Sequence, residues 1–184
     1  SSHVPWNSGK LIPQTEGGWW PEAPSAVPIT ATEPAPEAIS PAAMDGILKD
    51  FVRAAQRAQE MGIEAVELHG AHGYLLTTFL SPFTNHRNDA WGGDMARRLN
   101  FPLRVIKRVK QAIGDRPLSF RLSADEFTPQ GNSAEDMRAI ASHAMQNNPT
   151  GDFNPLPLLS LAKGTRANRT MAEAVDRLFG FEAH

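Results

Sequence analysis

The stretch His69-Gly70-Ala71-His72-Gly73-Tyr74 gathers two imidazoles and the chain's single tyrosine in one place. His69 and His72 cannot share a face of an extended strand, because side chains alternate along it. Gly70 and Gly73, however, permit a turn that aims both rings at one ligand atom. Such a pair can donate two hydrogen bonds to an oxygen that is gaining negative charge. Tyr74 adds a proton donor beside them. Two other readings use the same residues. In one, His69 is a hydrogen-bonded core histidine and His72 and Tyr74 are loop polars. In the other, a metal recruits His86 or Glu67 as third ligand, although the His-x-x-His spacing lacks the intervening glutamate of the zinc-protease pattern.

Arg121 is the second chemical signal. It lies in Leu118-Ser119-Phe120-Arg121-Leu122, where the apolar residues oppose Ser119, Arg121 and Ser123. Ala65-Val66-Glu67-Leu68-His69 alternates in the same way, with Glu67 and His69 on the polar side. A guanidinium on an inward-facing strand needs an anion or an electron-rich partner. Glu67 on the adjacent strand is the natural internal candidate.

Those strands need helices to position them. Ser40-Pro41 opens one with an N-cap and a proline at N1, and Ile47, Phe51, Ala54, Ala55 and Ala58 recur at helical spacing until Gly62. A second spans about Ala96 to Ile113, with Leu99, Leu103, Ile106, Val109 and Ile113 on one stripe and Gly114 as its stop. A third starts near Ser133, where Ser133 and Asp136 fit a capping box ahead of Met137, Ile140, Ala141 and Ala144. Alternating strands and helices predict an α/β fold with parallel strands and helical crossovers. Helices over the apolar strand faces leave the polar faces inward, which suits a (β/α) barrel with reactive groups at the C-terminal strand ends. The polar loop Leu80 to Gly93 follows the first strand, where a substrate loop is expected, though its mixed charges also suit an internally bonded Ω-type loop.

The flanks differ from this middle. More than half of the 15 prolines fall within residues 1–41, so residues 1–39 read as a Pro-rich loop segment, with Trp19 and Trp20 expected to pack onto the body of the protein. Residues 40–146 carry the barrel pattern, and 147–184 form a poorly specified, irregular tail. The chain has 18 Lys and Arg against 20 Asp and Glu, and no cysteine. Near-neutral charge argues against binding a nucleic-acid backbone, and the missing cysteines remove disulfides and thiolate chemistry. No apolar run reaches the ~20 residues of a membrane helix. The expectation is no nucleic acid, no membrane, a cytoplasmic location by default, and a chain free to form a homo-oligomer.

The run Met61-Gly62-Ile63-Glu64-Ala65-Val66-Glu67-Leu68-His69-Gly70-Ala71-His72-Gly73-Tyr74-Leu75-Leu76, followed by Phe79-Leu80-Ser81-Pro82 and by Asn85, Arg87, Asp89, Gly92 and Gly93, resembles the old yellow enzyme family. Gly18-Trp19-Trp20-Pro21-Glu22-Ala23-Pro24-Ser25-Ala26 resembles the loop after the third barrel strand in that family's xenobiotic-reductase and thermophilic-like branch. The resemblance implies a partial (β/α)8 TIM barrel comprising about strands 4 and 5 with flanking helices. It implies an FMN-dependent NAD(P)H oxidoreductase, with NADPH or NADH as reductant and an activated alkene or quinone-like acceptor as the small-molecule partner. His69 and His72 would bind the substrate carbonyl, Tyr74 would donate a proton, and Arg121 would lie by the flavin pyrimidine edge. No metal is implied.

At 184 residues the chain is shorter than the ~250 of a full barrel. Counterparts of the first three strands and of the late phosphate-binding loops are missing from its pattern. The competing expectation is therefore a non-catalytic truncated barrel fragment that folds only partly or with a partner, its open strand edges being places for another chain to pair.

Overall fold

Proline-rich though it is, the leading segment holds regular structure. The structure, a computed structural model, describes residues 11–146. A 3-10 turn at Gln14–Glu16 is followed by two short strands, β1 (Glu22–Ala23) and β2 (Glu37–Ala38), paired in parallel. Nothing in the composition announces them, because Pro21 and the residues after it form the pair through backbone groups and not through a side-chain periodicity. Helix α1 then runs Pro41–Glu60, begun as the sequence requires: the Ser40 hydroxyl accepts from the Ala43 N–H at 3.1 Å, and Pro41 sits in the first turn. Strand β3 (Val66–Gly70), helix α2 (Leu75–Leu80), helix α3 (Met95–Ile113), strand β4 (Leu118–Leu122) and helix α4 (Ala134–Gln146) follow.

Strands β3 and β4 pair in parallel, with Val66 opposite Leu118, Leu68 opposite Phe120 and His69 opposite Arg121. Leu68, Leu118 and Phe120 are buried in the main apolar cluster, as the alternation predicts. Helices α1 and α3 pack on each other, and α2 packs on α3. On α3 the expected stripe is buried at Leu99, Ile106, Val109 and Ile113, joined by Phe101 and Val105. The Phe79 and Phe101 ring centroids are 4.4 Å apart, and burying two such rings stabilises the α2–α3 contact by ~1.5–3 kcal/mol each. On α1 the buried line is Met44, Leu48 and Ala55, whereas Ala54 faces solvent. The helical period holds but its buried face is rotated, because Met44 and Leu48 offer more apolar area than the alanines. The capping box at α4 forms in full: the Ser133 N–H donates to Asp136 Oδ2 at 2.9 Å, and the Asp136 N–H donates to Ser133 Oγ at 3.2 Å.

Helix α2 occupies a stretch between the expected turn and the expected loop to which the sequence pattern assigns no element. Leu76, Phe79 and Leu80 bury completely, so tertiary packing rather than periodicity makes this short helix. The following loop takes the internally bonded form. Asn85 Nδ2 donates to the Phe79 and Trp91 carbonyls at 2.7 and 2.8 Å. The Arg87 guanidinium pairs with Asp89 and reaches back to the Pro24 and Ile39 carbonyls at 3.0 and 2.8 Å. Ile39, placed by sequence in the leading loop, is 1% exposed and belongs to the core. Trp19 and Trp20 do not pack as expected: both are exposed among the described residues. Two parallel strands whose apolar residues join those of the helices in one core make a partial (β/α) barrel. No described helix is long and apolar enough to cross a membrane. The tail 147–184 lies outside the described residues.

Candidate functional site

The parallel register puts the polar faces of β3 and β4 side by side. Arg121 Nε donates to Glu67 Oε1 at 2.8 Å, and Ser119 Oγ donates to Glu67 Oε2 at 3.2 Å. This ion pair is the internal partner that the alternation suggests. The guanidinium is not deeply buried, however: side-chain exposure is 30% for Arg121 and 44% for Glu67. Screening at that exposure limits the pair to ~1 kcal/mol or less. Among the described residues only Nε of Arg121 is engaged, so its two terminal nitrogens keep their donors for another group.

At the C-terminal end of β3 the chain turns sharply. The sequence suggests Gly70 as a source of positive φ, but the structure uses it differently. A Cβ there would lie 2.3 Å from the Phe120 ring and 2.8 Å from the Arg121 carbonyl oxygen, so glycine lets the two strands approach. The turn itself falls on His72 (φ 59°) and Gly73 (φ 73°). Left-handed backbone is uncommon for a side-chain-bearing residue, and histidine is among those that tolerate it best. The His72 N–H donates to Ser123 Oγ at 3.1 Å, which ties the exit of β3 to the exit of β4. Tyr74 then opens α2 as its N-cap residue, with an exposed ring.

This path brings together the three residues singled out by type. The His69 and His72 ring centroids are 5.1 Å apart, and those of His69 and Tyr74 are 5.3 Å apart. His69 is half-buried on the strand, and its pKa is lowered. Burial is the main cause, followed by the nearby His72 and Arg121, while Glu67 opposes the shift. A neutral imidazole with one N–H is the resulting form near neutral pH. Arg121 stands across the register from it.

His72, Tyr74 and Arg121 border a cleft of about 750 Å³, lined also by Ser123 and Thr77, and His69 stands behind them on the strand. That volume is within the range of small-molecule sites. Thr77 is 4% exposed and its hydroxyl has no hydrogen-bond partner among the described residues. His86, the candidate third metal ligand, borders a separate hollow beside Arg87, and its N–H is held by Ser25 Oγ. No cluster of three or more His, Asp or Glu suited to a metal occurs among the described residues.

Sequence reasoning misses the support of the second loop. Glu126 accepts from the Ser81 hydroxyl and from Asn132 Nδ2 at 2.8 Å, while Asn132 also donates to the Leu80 carbonyl at 3.2 Å. Arg98 donates to the same carbonyl at 2.8 Å and to that of Gly93. Burial lowers the Arg98 pKa against the attraction of Asp136, Asp94 and Glu126. Nothing in the spacing of Ser81, Glu126 and Asn132 reveals a contact made across 45 residues of chain. Ser123, by contrast, is visible as the next polar position of β4.

Comparison with known proteins bears on the family and the fold. A family model described as the NADH:flavin oxidoreductase / NADH oxidase family matches residues 14–173. A protein named NADH oxidase from Thermoanaerobacter brockii is 45% identical over 133 residues, covering 72% of this chain and 20% of that protein. An NADPH dehydrogenase from Bacillus subtilis is 40% identical over 114 residues, covering 62% and 33%. Among solved structures, a 2-naphthoyl-CoA reductase complex superimposes with a TM-score of 0.72 at 23% identity, covering 88% of this chain and 26% of the other. Histamine dehydrogenase from Rhizobium sp. 4-9 gives 0.68 at 28% identity, covering 86% and 25%. The chain thus spans a fifth to a third of the length of these proteins.

Proposed function

From the premise that this chain belongs to the NADH:flavin oxidoreductase / NADH oxidase family, we propose that it furnishes the substrate-polarising edge of an FMN-dependent NAD(P)H oxidoreductase that reduces activated alkenes of the enone or quinone-like type. The observation that carries this reading is the adjacency of the His69, His72 and Tyr74 rings, with His72, Tyr74 and Arg121 lining one cleft.

The residues present fit the flavin that the family name implies. Arg121 offers terminal donors unengaged among the described residues at a strand end, suited to an electron-accepting heterocycle that gains negative charge. Arg121 is the residue that would hold it. When bound, FMN supplies the hydride taken from NAD(P)H. The chain's own part is electrostatic and acid–base. His69 and His72 donate hydrogen bonds to the substrate carbonyl oxygen, where negative charge develops as the conjugated double bond is reduced. The lowered pKa of His69 keeps that ring a neutral donor, so it polarises the carbonyl without being a proton reservoir. Tyr74, exposed at the N-terminus of α2, donates the proton to carbon from its phenolic oxygen.

The test is reduction of 2-cyclohexenone with NADPH and FMN, comparing Tyr74→Phe and His72→Ala with the parent. Loss of the proton donor should lower kcat by ~10²-fold or more while leaving substrate binding nearly intact. Loss of His72 should raise KM and lower kcat together. Parent-level enone turnover in both variants would overturn the assignment.

A further inference from the structure

The cleft has a second chemically distinct region, in the loop that follows β4. Phe127 lines it and is 63% exposed, with its backbone at φ 53°. A bulky aromatic residue in the left-handed region carries strain of ~1–3 kcal/mol and persists only where its surroundings enforce it. Here the enforcing bonds are visible. The Phe127 N–H donates to Asp125 Oδ1, and the neighbouring Glu126 carboxylate is gripped by Ser81 and Asn132. The Glu126 N–H donates to the Asn132 carbonyl at 3.2 Å, and the Gly131 N–H to that of Thr128 at 3.0 Å. The loop is therefore fixed from both sides, and Phe127 projects from a rigid base. Glycine at 127 would hold the same turn without strain, so the ring is what phenylalanine adds there.

The lining divides by chemistry. Tyr74, Arg121 and Ser123 supply polar groups, while Phe127, Phe83 and Ile29 contribute exposed apolar surface to the same cleft. A ligand that satisfies both parts carries a carbonyl at one end and a flat apolar ring beyond it. We propose that Phe127 is a specificity-determining residue, selecting acceptors that bear a ring next to the carbonyl over small linear ones. This rests on the reading of His72 and Tyr74 as the carbonyl end. Asp125 and Glu126 are positioning residues for Phe127, acting through the backbone of its loop.

The experiment measures binding without turnover, using two ketones that have no activated alkene. Acetophenone and butan-2-one are titrated into the FMN-loaded protein by ligand-observed NMR. The parent should prefer acetophenone, and Phe127→Ala should weaken it about fivefold, the scale of one lost aromatic contact, while changing butan-2-one less than twofold. Phe127→Tyr should restore the preference. Phe127→Gly should lose it while unfolding at an equal or higher temperature, which separates recognition from loop stability. His72→Ala should weaken both ketones alike. Equal weakening of the two ketones in Phe127→Ala, no weakening of either, or no binding by the parent would overturn the proposal. If enone turnover fails in the parent while the ring preference persists and depends on Phe127, the reductase reading falls and the specificity role stands. Turnover with an unaltered preference in Phe127→Ala does the opposite: the reductase reading stands and the specificity role falls.

Discussion

Replacing Arg87 by alanine should detach the leading segment from the barrel body, and its cost can be worked from the contacts it makes. The guanidinium is 13% exposed; it donates to the Pro24 carbonyl at 3.0 Å and the Ile39 carbonyl at 2.8 Å, and it pairs with Asp89. Hydrogen bonds to a charged group contribute ~1.5–3 kcal/mol each. The Ile39 carbonyl belongs to a residue that is 1% exposed, so removing its donor leaves it with little access to water. Asp89 is 40% exposed, which holds its pairing to ~1 kcal/mol or less after solvent screening. Arg87→Ala should therefore cost ~3–7 kcal/mol, against total stabilities of ~5–15 kcal/mol. With a urea m-value of ~2 kcal/mol/M, the unfolding midpoint should fall by ~1.5–3.5 M. Arg87→Lys, with one ammonium in place of a planar fork, should recover less than half of the loss. The acid limb adds a second readout. Hydrogen bonds from Arg87 are the main reason the Asp89 pKa lies below its ordinary 3.8. Its contribution is thus complete above the unfolded value and disappears as pH falls through the lowered folded value. In Arg87→Ala that acid loss should shrink. A midpoint shift under 0.5 M, about 1 kcal/mol at that slope, or a lysine variant equal to the parent would refute the account.

Two further predictions concern the strand ends. Because the folded pKa of His69 is below 6.5, the unfolded chain takes its proton first as pH falls, so stability is undiminished above 6.5 and declines through the folded value. His69→Gln should flatten that decline in denaturation midpoints between about pH 7 and 5, and imidazole NMR titration should show His69 below its ordinary 6.5; a raised His69 value would contradict the burial argument. Gly70→Ala places a methyl 2.3 Å from the Phe120 ring and 2.8 Å from a backbone carbonyl, so it should destabilise by ~1–3 kcal/mol and shift the His69 ring resonances. A neutral result would mean that the strand pair is looser than its packing implies.

How far the sequence carries the fold depends on whether the deciding interaction is local. Ser40, Ser133 and Asp136 are readable because a cap closes within one turn, and β4 is bounded correctly because alternation is a property of consecutive residues. The pairing of Arg121 with Glu67 is readable one level up, since parallel strands with matched alternation leave few partners for an inward cation. Helix α2 is not, because Leu76, Phe79 and Leu80 become helical through burial against distant residues. Gly70 shows the limit most clearly. Its place beside two histidines suggests a flexible turn, yet the turn strain falls on His72 and Gly73, and Gly70 serves the contact with Phe120.

That exchange of roles bears on the site itself. A glycine that keeps β3 close to β4 sets His69 against Arg121, while the φ of 59° at His72 swings its ring back to 5.1 Å from His69. The His72 N–H bond to Ser123 then fastens this strained turn to the loop from which Phe127 projects. Two residues with left-handed backbones, His72 and Phe127, therefore border one cleft from two loops that share a hydrogen bond. Strain of this kind is retained where surrounding bonds over-determine the backbone. Here those bonds run through Ser123, Asp125, Glu126 and Asn132. The His72–Tyr74 side of the cleft and the Phe127 side are thus held by one connected scaffold. Ser123→Ala should accordingly disturb both, broadening the His72 resonances and weakening acetophenone binding, although Ser123 need not touch either ring. An unchanged His72 signal in that variant would show that the two loops are held independently.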